Sequence, residues 1–189
     1  MEKLRFGTKE IIATVVAVIV ILASKWLETI LERSGMPAAI LLEWVKPRVL
    51  VVAIAAVFFG PWAGMIGGLG GELLINVVFG NIIGYPEIIA MGIYGLFLGL
   101  YFGKTHFNIQ NFDGRGWIDF NVVQLMAGTF ISIFFIPMLS FFIEGSDLNE
   151  SVVIGAKNTA GNALVVGIIC PVIMMIVSAA GRGRRRTAP

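Results

Sequence analysis

Apolar runs long enough to cross or nearly cross a bilayer recur along this chain, separated by short polar or glycine- and proline-bearing breaks. A spanning helix needs about 20 predominantly apolar residues. Soluble domains carry about 25% charged residues, whereas this chain carries 14% and is 57% hydrophobic. Its mean hydropathy is +0.88. The fold class that follows is all-α. The chain reads as a polytopic membrane protein, with residues 1–189 forming a single domain of six transmembrane helices.

The first helix is expected from about Lys9 to Glu32, with Lys25, Glu28, Glu32 and Arg33 on its later, polar portion. No small-residue cleavage site follows its apolar part, so it reads as a retained span. The connection Ser34 to Lys46 is unusually apolar and holds Trp44, which suits a re-entrant lid or an amphipathic loop at the headgroups. Pro47 opens a short second span, Arg48 to Phe59. Gly60-Pro61 turns the chain into a glycine-dense third span ending near Phe79. A fourth span is expected from Ile88 to Phe102, then a polar connection from Lys104 to Asp119 that includes His106. The fifth runs from Phe120 to about Ile143, interrupted by Pro137, and the sixth ends near Ala180.

Six spans place both termini on one side. Lys3, Arg5 and Lys9 precede the first run, and Arg182, Arg184, Arg185 and Arg186 follow the last. Beside membrane spans such clusters mark the cytoplasmic side rather than a nucleic-acid surface, so both termini are expected in the cytoplasm. Lys104 and Arg115 then also fall inside, while Glu43, Glu87, Glu144, Asp147 and Glu150 fall outside.

Ionisable groups in a membrane segment are costly, and they face a cavity or a partner. On this topology Glu72, Asn76, Asn81, Tyr85, Glu87, Lys157, Asn158 and Asn162 gather in the outer halves and outer loops. The inner halves are nearly all apolar or glycine. This describes a polar basin open to the outside and closed toward the cytoplasm. Trp44, Tyr85 and Tyr94 offer stacking surface to a flat ligand, or an aromatic belt. Lys157 is placed to pair with Glu72 or Glu87, to bind a ligand, or to snorkel. Asn158 and Asn162 stand four apart on one helix face, with donors and acceptors both available.

Signatures of soluble-type enzymes are missing. The chain has no Gly-x-x-x-x-Gly-Lys-Ser/Thr phosphate loop, Gly-x-Ser-x-Gly elbow or His-Glu-x-x-His zinc motif. No metal or cofactor is expected. The lone Cys170 lies in an apolar run and reads as a small buried hydrophobe. Two other classes stay open: a membrane-embedded lipid-modifying enzyme using Glu72 and Lys157, and an accessory membrane protein with no small-molecule site.

The stretch Phe59-Gly60-Pro61-Trp62-Ala63-Gly64-Met65-Ile66-Gly67-Gly68 is similar to the Phe-Gly-Pro-x-x-Gly turn and glycine helix of one group of membrane proteins. These are the vitamin-binding S components of energy-coupling factor transporters. The small size, six spans and long apolar first outer loop resemble that family too. Ala13-x-x-x-Ala17 resembles the motif with which S components dock on their shared membrane subunit. The resemblance implies capture of a water-soluble vitamin from outside a prokaryotic plasma membrane. It implies as partners an energy-coupling transmembrane subunit and two ATPase subunits, with no ATPase in this chain. The basin and stacking residues Trp44, Glu72, Asn76, Asn81, Tyr85, Glu87, Tyr94, Lys157, Asn158 and Asn162 are then the expected substrate set, and the resemblance implies Ala13 and Ala17 as docking residues. A hydroxymethylpyrimidine or pyridoxine type of substrate is favoured over riboflavin, because the glycines of the third helix suggest little room.

Overall fold

A computed structural model describes residues 7–34, 46–80, 84–105, 109 and 112–186, with residues 181–186 described by backbone alone. All of its long elements are helices, as a chain in lipid requires when each backbone N–H and C=O must be satisfied within its own segment. They are α1 (Thr8–Ser34), α2 (Pro47–Phe59), α3 (Pro61–Phe79), α4 (Tyr85–Lys104), α5 (Gly114–Glu144) and α6 (Leu148–Arg186). Five of them are long and apolar enough to cross a membrane. The exception is the second helix, expected to be short. Helix α2 has 13 residues, which is about 20 Å at 1.5 Å per residue, short of a hydrocarbon core of about 30 Å.

Local chemistry sets the breaks. Pro47 and Pro61 each occupy a first helical turn, where the missing N–H costs nothing. Between α2 and α3 a single residue reverses the chain. Gly60 sits at φ 96°, ψ −179°, a backbone conformation that side chains exclude. Helix α5 starts earlier than expected, at Gly114, because the Asp113 carboxylate accepts from the Gly116 N–H at 2.9 Å and caps it. The polar connection expected to reach Asp119 is shorter for that reason.

Helix α5 carries two π-helical stretches, Phe130–Phe135 and Ser140–Glu144, around the α-helical turn Ile136–Leu139. Pro137 accounts for the first. Its ring would press on the carbonyl of Ile133, four residues back, and widening the preceding turn relieves that clash.

Glycines set the helix directions. A Cβ on Gly68 would meet the Met91 backbone, one on Gly95 the Gly64 backbone, and one on Gly99 the Pro61 backbone. Positions rise along α3 as they fall along α4, so the two run antiparallel with their backbones nearly touching. Helix α1 lies parallel to α3, with Ala17 facing Gly67 and Ile21 facing Gly71. Helix α6 runs antiparallel to α5 through the pairs Gly155–Ser132 and Gly167–Asn121. The alternation brings residue 46, Gly84 and Glu144 to one end, here the loop end. Gly60 and the start of α5 lie at the other. The buried core includes Ile21, Val52, Ile75, Leu98, Phe120 and Met174, while Ile12, Val16, Val77 and Phe142 face outward.

Candidate functional site

Toward the loop end, α1, α2 and α3 bury charge against one another. Arg48, in the first turn of α2, donates from Nη1 to Glu72 Oε2 on α3. Its Nε lies 3.9 Å from Glu28 Oε1 on α1, and Glu28 Oε2 pairs with Lys25 Nζ at 3.2 Å. Arg48 is 5% exposed, Glu28 6% and Glu72 1%. Charges so placed persist only when paired and hydrogen-bonded. Among the described residues, three buried side-chain polar atoms still have no hydrogen-bond partner: Glu28 Oε1, Arg48 Nε and Glu72 Oε1. The first two face each other. Glu72 Oε1 is left over.

Lys46, just before α2, ties that helix to two others. Its Nζ meets Glu87 Oε1 of α4 at 3.2 Å, and its backbone N–H donates to Asn162 Oδ1 of α6 at 2.8 Å. Between these anchors lies a cavity with about 650 Å³ of empty space, part of it open to solvent. Lys46, Arg48, Glu72, Glu87, Tyr94, Gln124, Ser132, Asn158, Thr159 and Asn162 supply its polar lining. Val49, Ala90, Met91, Leu125, Gly128, Ile131, Ile136 and Ala163 supply the apolar walls. The first π-helical stretch of α5 contributes Ile131 and Ser132.

One wall is braced from below. Pro171 in α6 has no N–H to give the Gly167 carbonyl four residues earlier. Asn121 of α5 donates to that oxygen from Nδ2 at 3.1 Å. Gln124 Nε2 reaches both Asn121 Oδ1 (3.4 Å) and the Ala163 carbonyl (3.3 Å). Gly167 makes room, since a Cβ there would collide with Asn121 Oδ1. A proline thus creates an orphan acceptor, and the amides that serve it position Gln124 at the cavity.

Of the residues expected in the basin, Glu72, Glu87, Tyr94, Asn158 and Asn162 line this one cavity. Asn76, Tyr85 and Lys157 do not. Asn76 is one turn further along α3, and Tyr85 is 66% exposed at the start of α4. Trp44 and Asn81 lie outside the described residues, as do the connection before residue 46 and His106. Arg48 meets Glu72, and Lys46 meets Glu87. The Glu72–Lys157 couple that an embedded enzyme would use is not assembled at this cavity.

The small residues pack within the bundle. No glycine of α3 lines the cavity; Gly64, Gly68 and Gly71 face Ala56, Gly95, Met91 and Ile21. Their density therefore sets no limit on ligand size. Ala13 and Ala17 are 7% and 4% exposed, with Ala17 against Gly67 of α3.

Sequence reasoning missed Lys46, Arg48, Gln124 and Thr159. A signal for Arg48 existed: it is the only charge between Pro47 and Phe59. Gln124 stands likewise as a lone amide among Val122, Val123, Leu125 and Met126.

Comparison with known proteins extends over nearly the same residues as the helix bundle. Residues 8–179 match the family described as ECF-type riboflavin transporter, S component. The chain is 27% identical over 172 residues to a UPF0397 protein of Exiguobacterium sp., a match covering 90% of each chain. It is 25% identical over 166 residues to a UPF0397 protein of Streptococcus gordonii, covering 86% of this chain and 84% of the relative. A UPF0397 protein of Clostridium perfringens is 27% identical over 148 residues, covering 77% and 79%. No solved structure matches it. With five apolar helices of membrane-crossing length and a match spanning all six helices, this multi-pass membrane chain belongs to the ECF-type riboflavin transporter S component family.

Proposed function

We propose that this chain captures a water-soluble vitamin or vitamin precursor in the cavity at its loop end. That end faces outward from a prokaryotic plasma membrane, as the basic chain ends on the opposite side indicate. Uptake is completed by an energy-coupling membrane subunit and two ATPase subunits. The observation that carries the reading is the cavity itself. It is a partly apolar space whose polar wall is built from charges and amides of five different helices. Burying such groups costs stability, and a membrane bundle with no ligand to bind would gain from replacing them.

The substrate is a flat heterocycle held between apolar walls at Met91, Leu125 and Ile131, with Glu72, Gln124, Asn158 and Asn162 reading its edges. Hydroxymethylpyrimidine and pyridoxine types fit this description. Riboflavin stands level with them, because the glycine packing lies elsewhere and the family description names it. Docking on the energy-coupling subunit involves the α1 region. Ala13 and Ala17 then act at the rim of the α1–α3 contact, beside the exposed Ile12, Val16 and Ile19.

Mass spectrometry of small molecules carried by the detergent-purified chain tests the reading. One vitamin-class heterocycle near a one-to-one ratio is expected. Recovery of lipid alone would count against it.

A further inference from the structure

The ion pairs at the loop end set Lys25, Lys46 and Arg48 against Glu28, Glu72 and Glu87. Their hydrogen bonding is incomplete. Arg48 is divided between two carboxylates on different helices, and its Nη1 satisfies only Oε2 of Glu72. Glu72 Oε1 is buried, has no partner, and belongs to a residue that lines the cavity. A buried acceptor left unmade is expensive, and a carboxylate more so than a neutral group. An ionised carboxylate accepts only. What completes this oxygen must therefore bring a proton of its own.

We propose that Glu72 Oε1 is the acceptor that reads the substrate. On the vitamin-capture reading, on which this inference rests, the chain takes nitrogen heterocycles that present an N–H, amino or hydroxyl donor and are uncharged or cationic. Substrates that would set a carboxylate or phosphate here are rejected, since two acceptors would face each other in a desolvated space with the nearest cation already shared. The amides of Gln124, Asn158 and Asn162 supply complementary donors and acceptors for the remaining edges. Sites built to pair a donor discriminate strongly against the analogue lacking it, because the protein group is then stranded.

The test is equilibrium binding to the full-length, ligand-depleted chain in detergent. The donor-bearing probes are riboflavin, 4-amino-5-hydroxymethyl-2-methylpyrimidine and pyridoxine; the acidic probes are nicotinate, biotin and pantothenate. Whichever donor-bearing probe binds is then compared with its blocked analogue: 3-methylriboflavin, the deaminopyrimidine or the 3-O-methyl ether. A loss of roughly tenfold to a hundredfold on blocking is expected, shrinking to less than about threefold in Glu72→Gln, where a neutral amide replaces the carboxylate. Equal binding of the blocked analogue, or tight binding of an acidic probe, overturns the inference and leaves vitamin capture standing. Binding of no probe overturns both. Measurements on the unmodified chain decide this even if Glu72→Gln fails to fold.

Discussion

Asn121 of α5 donates from Nδ2 to the carbonyl oxygen of Gly167 on α6, the acceptor that Pro171 leaves without an intrahelical donor. In lipid an unserved carbonyl has no water to turn to, and neighbouring helices must supply the partner. Asn121→Leu should therefore lower the stability of the purified chain by about 1–3 kcal/mol. Pro171→Ala returns an N–H to position 171, so the same replacement should cost clearly less in that background. A double-mutant cycle on thermal unfolding in detergent measures the coupling. Strict additivity would mean that the two residues do not share the oxygen.

Removing Arg48 and removing Lys46 should have very different effects. Arg48→Leu leaves Glu28 and Glu72 buried without their shared cation, a loss of about 3–5 kcal/mol. Lys46 and Glu87 are part-exposed at 24% and 35% of their side chains, and a pair of that kind is worth about 0–1 kcal/mol. Lys46→Ala should thus unfold at nearly the wild-type temperature while Arg48→Leu unfolds far below it. Similar unfolding temperatures for the two variants would count against a buried charge cluster.

Glycine matters at the α3–α4 contact and not everywhere on α4. A methyl on Gly95 would run into the Gly64 backbone, whereas one on Gly103 would meet nothing within 4 Å. Gly95→Ala should disrupt the bundle and Gly103→Ala should leave it intact or firmer, alanine being preferred over glycine in helices by up to about 1 kcal/mol. Gly68→Leu should damage packing against Met91 and, because Met91 lines the cavity, ligand binding with it. Unfolding temperatures and ligand affinities of the three variants check this.

Helix α1 separates fold from partnership. Ala17→Trp forces an indole against Gly67 and should impair folding and binding together. Val16 is 52% exposed, so Val16→Trp should spare ligand binding by the purified chain and reduce uptake in cells. Unchanged uptake with Val16→Trp would remove this face of α1 from docking.

The helices were legible in the sequence because period and length leave little choice. Lys9 to Glu32, Arg48 to Phe59 and the turn at Gly60-Pro61 fall within a few residues of α1, α2 and Gly60. Glu72, Glu87, Asn158 and Asn162 stand out because polarity in an apolar segment needs a reason, and Tyr94 as stacking surface; the structure brings all five to one cavity. Which partner each polar group takes was not legible. Arg48 lies on a helix and Lys46 just before it; that helix's rotation about its axis decides whether they face lipid, Glu72 or Glu87, and spacing within one helix does not report that. The fate of Asn121 was hidden similarly, because it depends on a proline 50 residues away.

The central claim, that the loop-end cavity holds a vitamin, is tested most directly by the small-molecule content of the purified wild-type chain beside that of Asn158→Leu. Asn158 lines the cavity without a role in the buried charge cluster. The account predicts a single heterocyclic vitamin near one-to-one in the wild type, and a loss of roughly tenfold or more in affinity for it in a folded Asn158→Leu variant. Lipid alone in both preparations, or a vitamin held equally well by both, would contradict it.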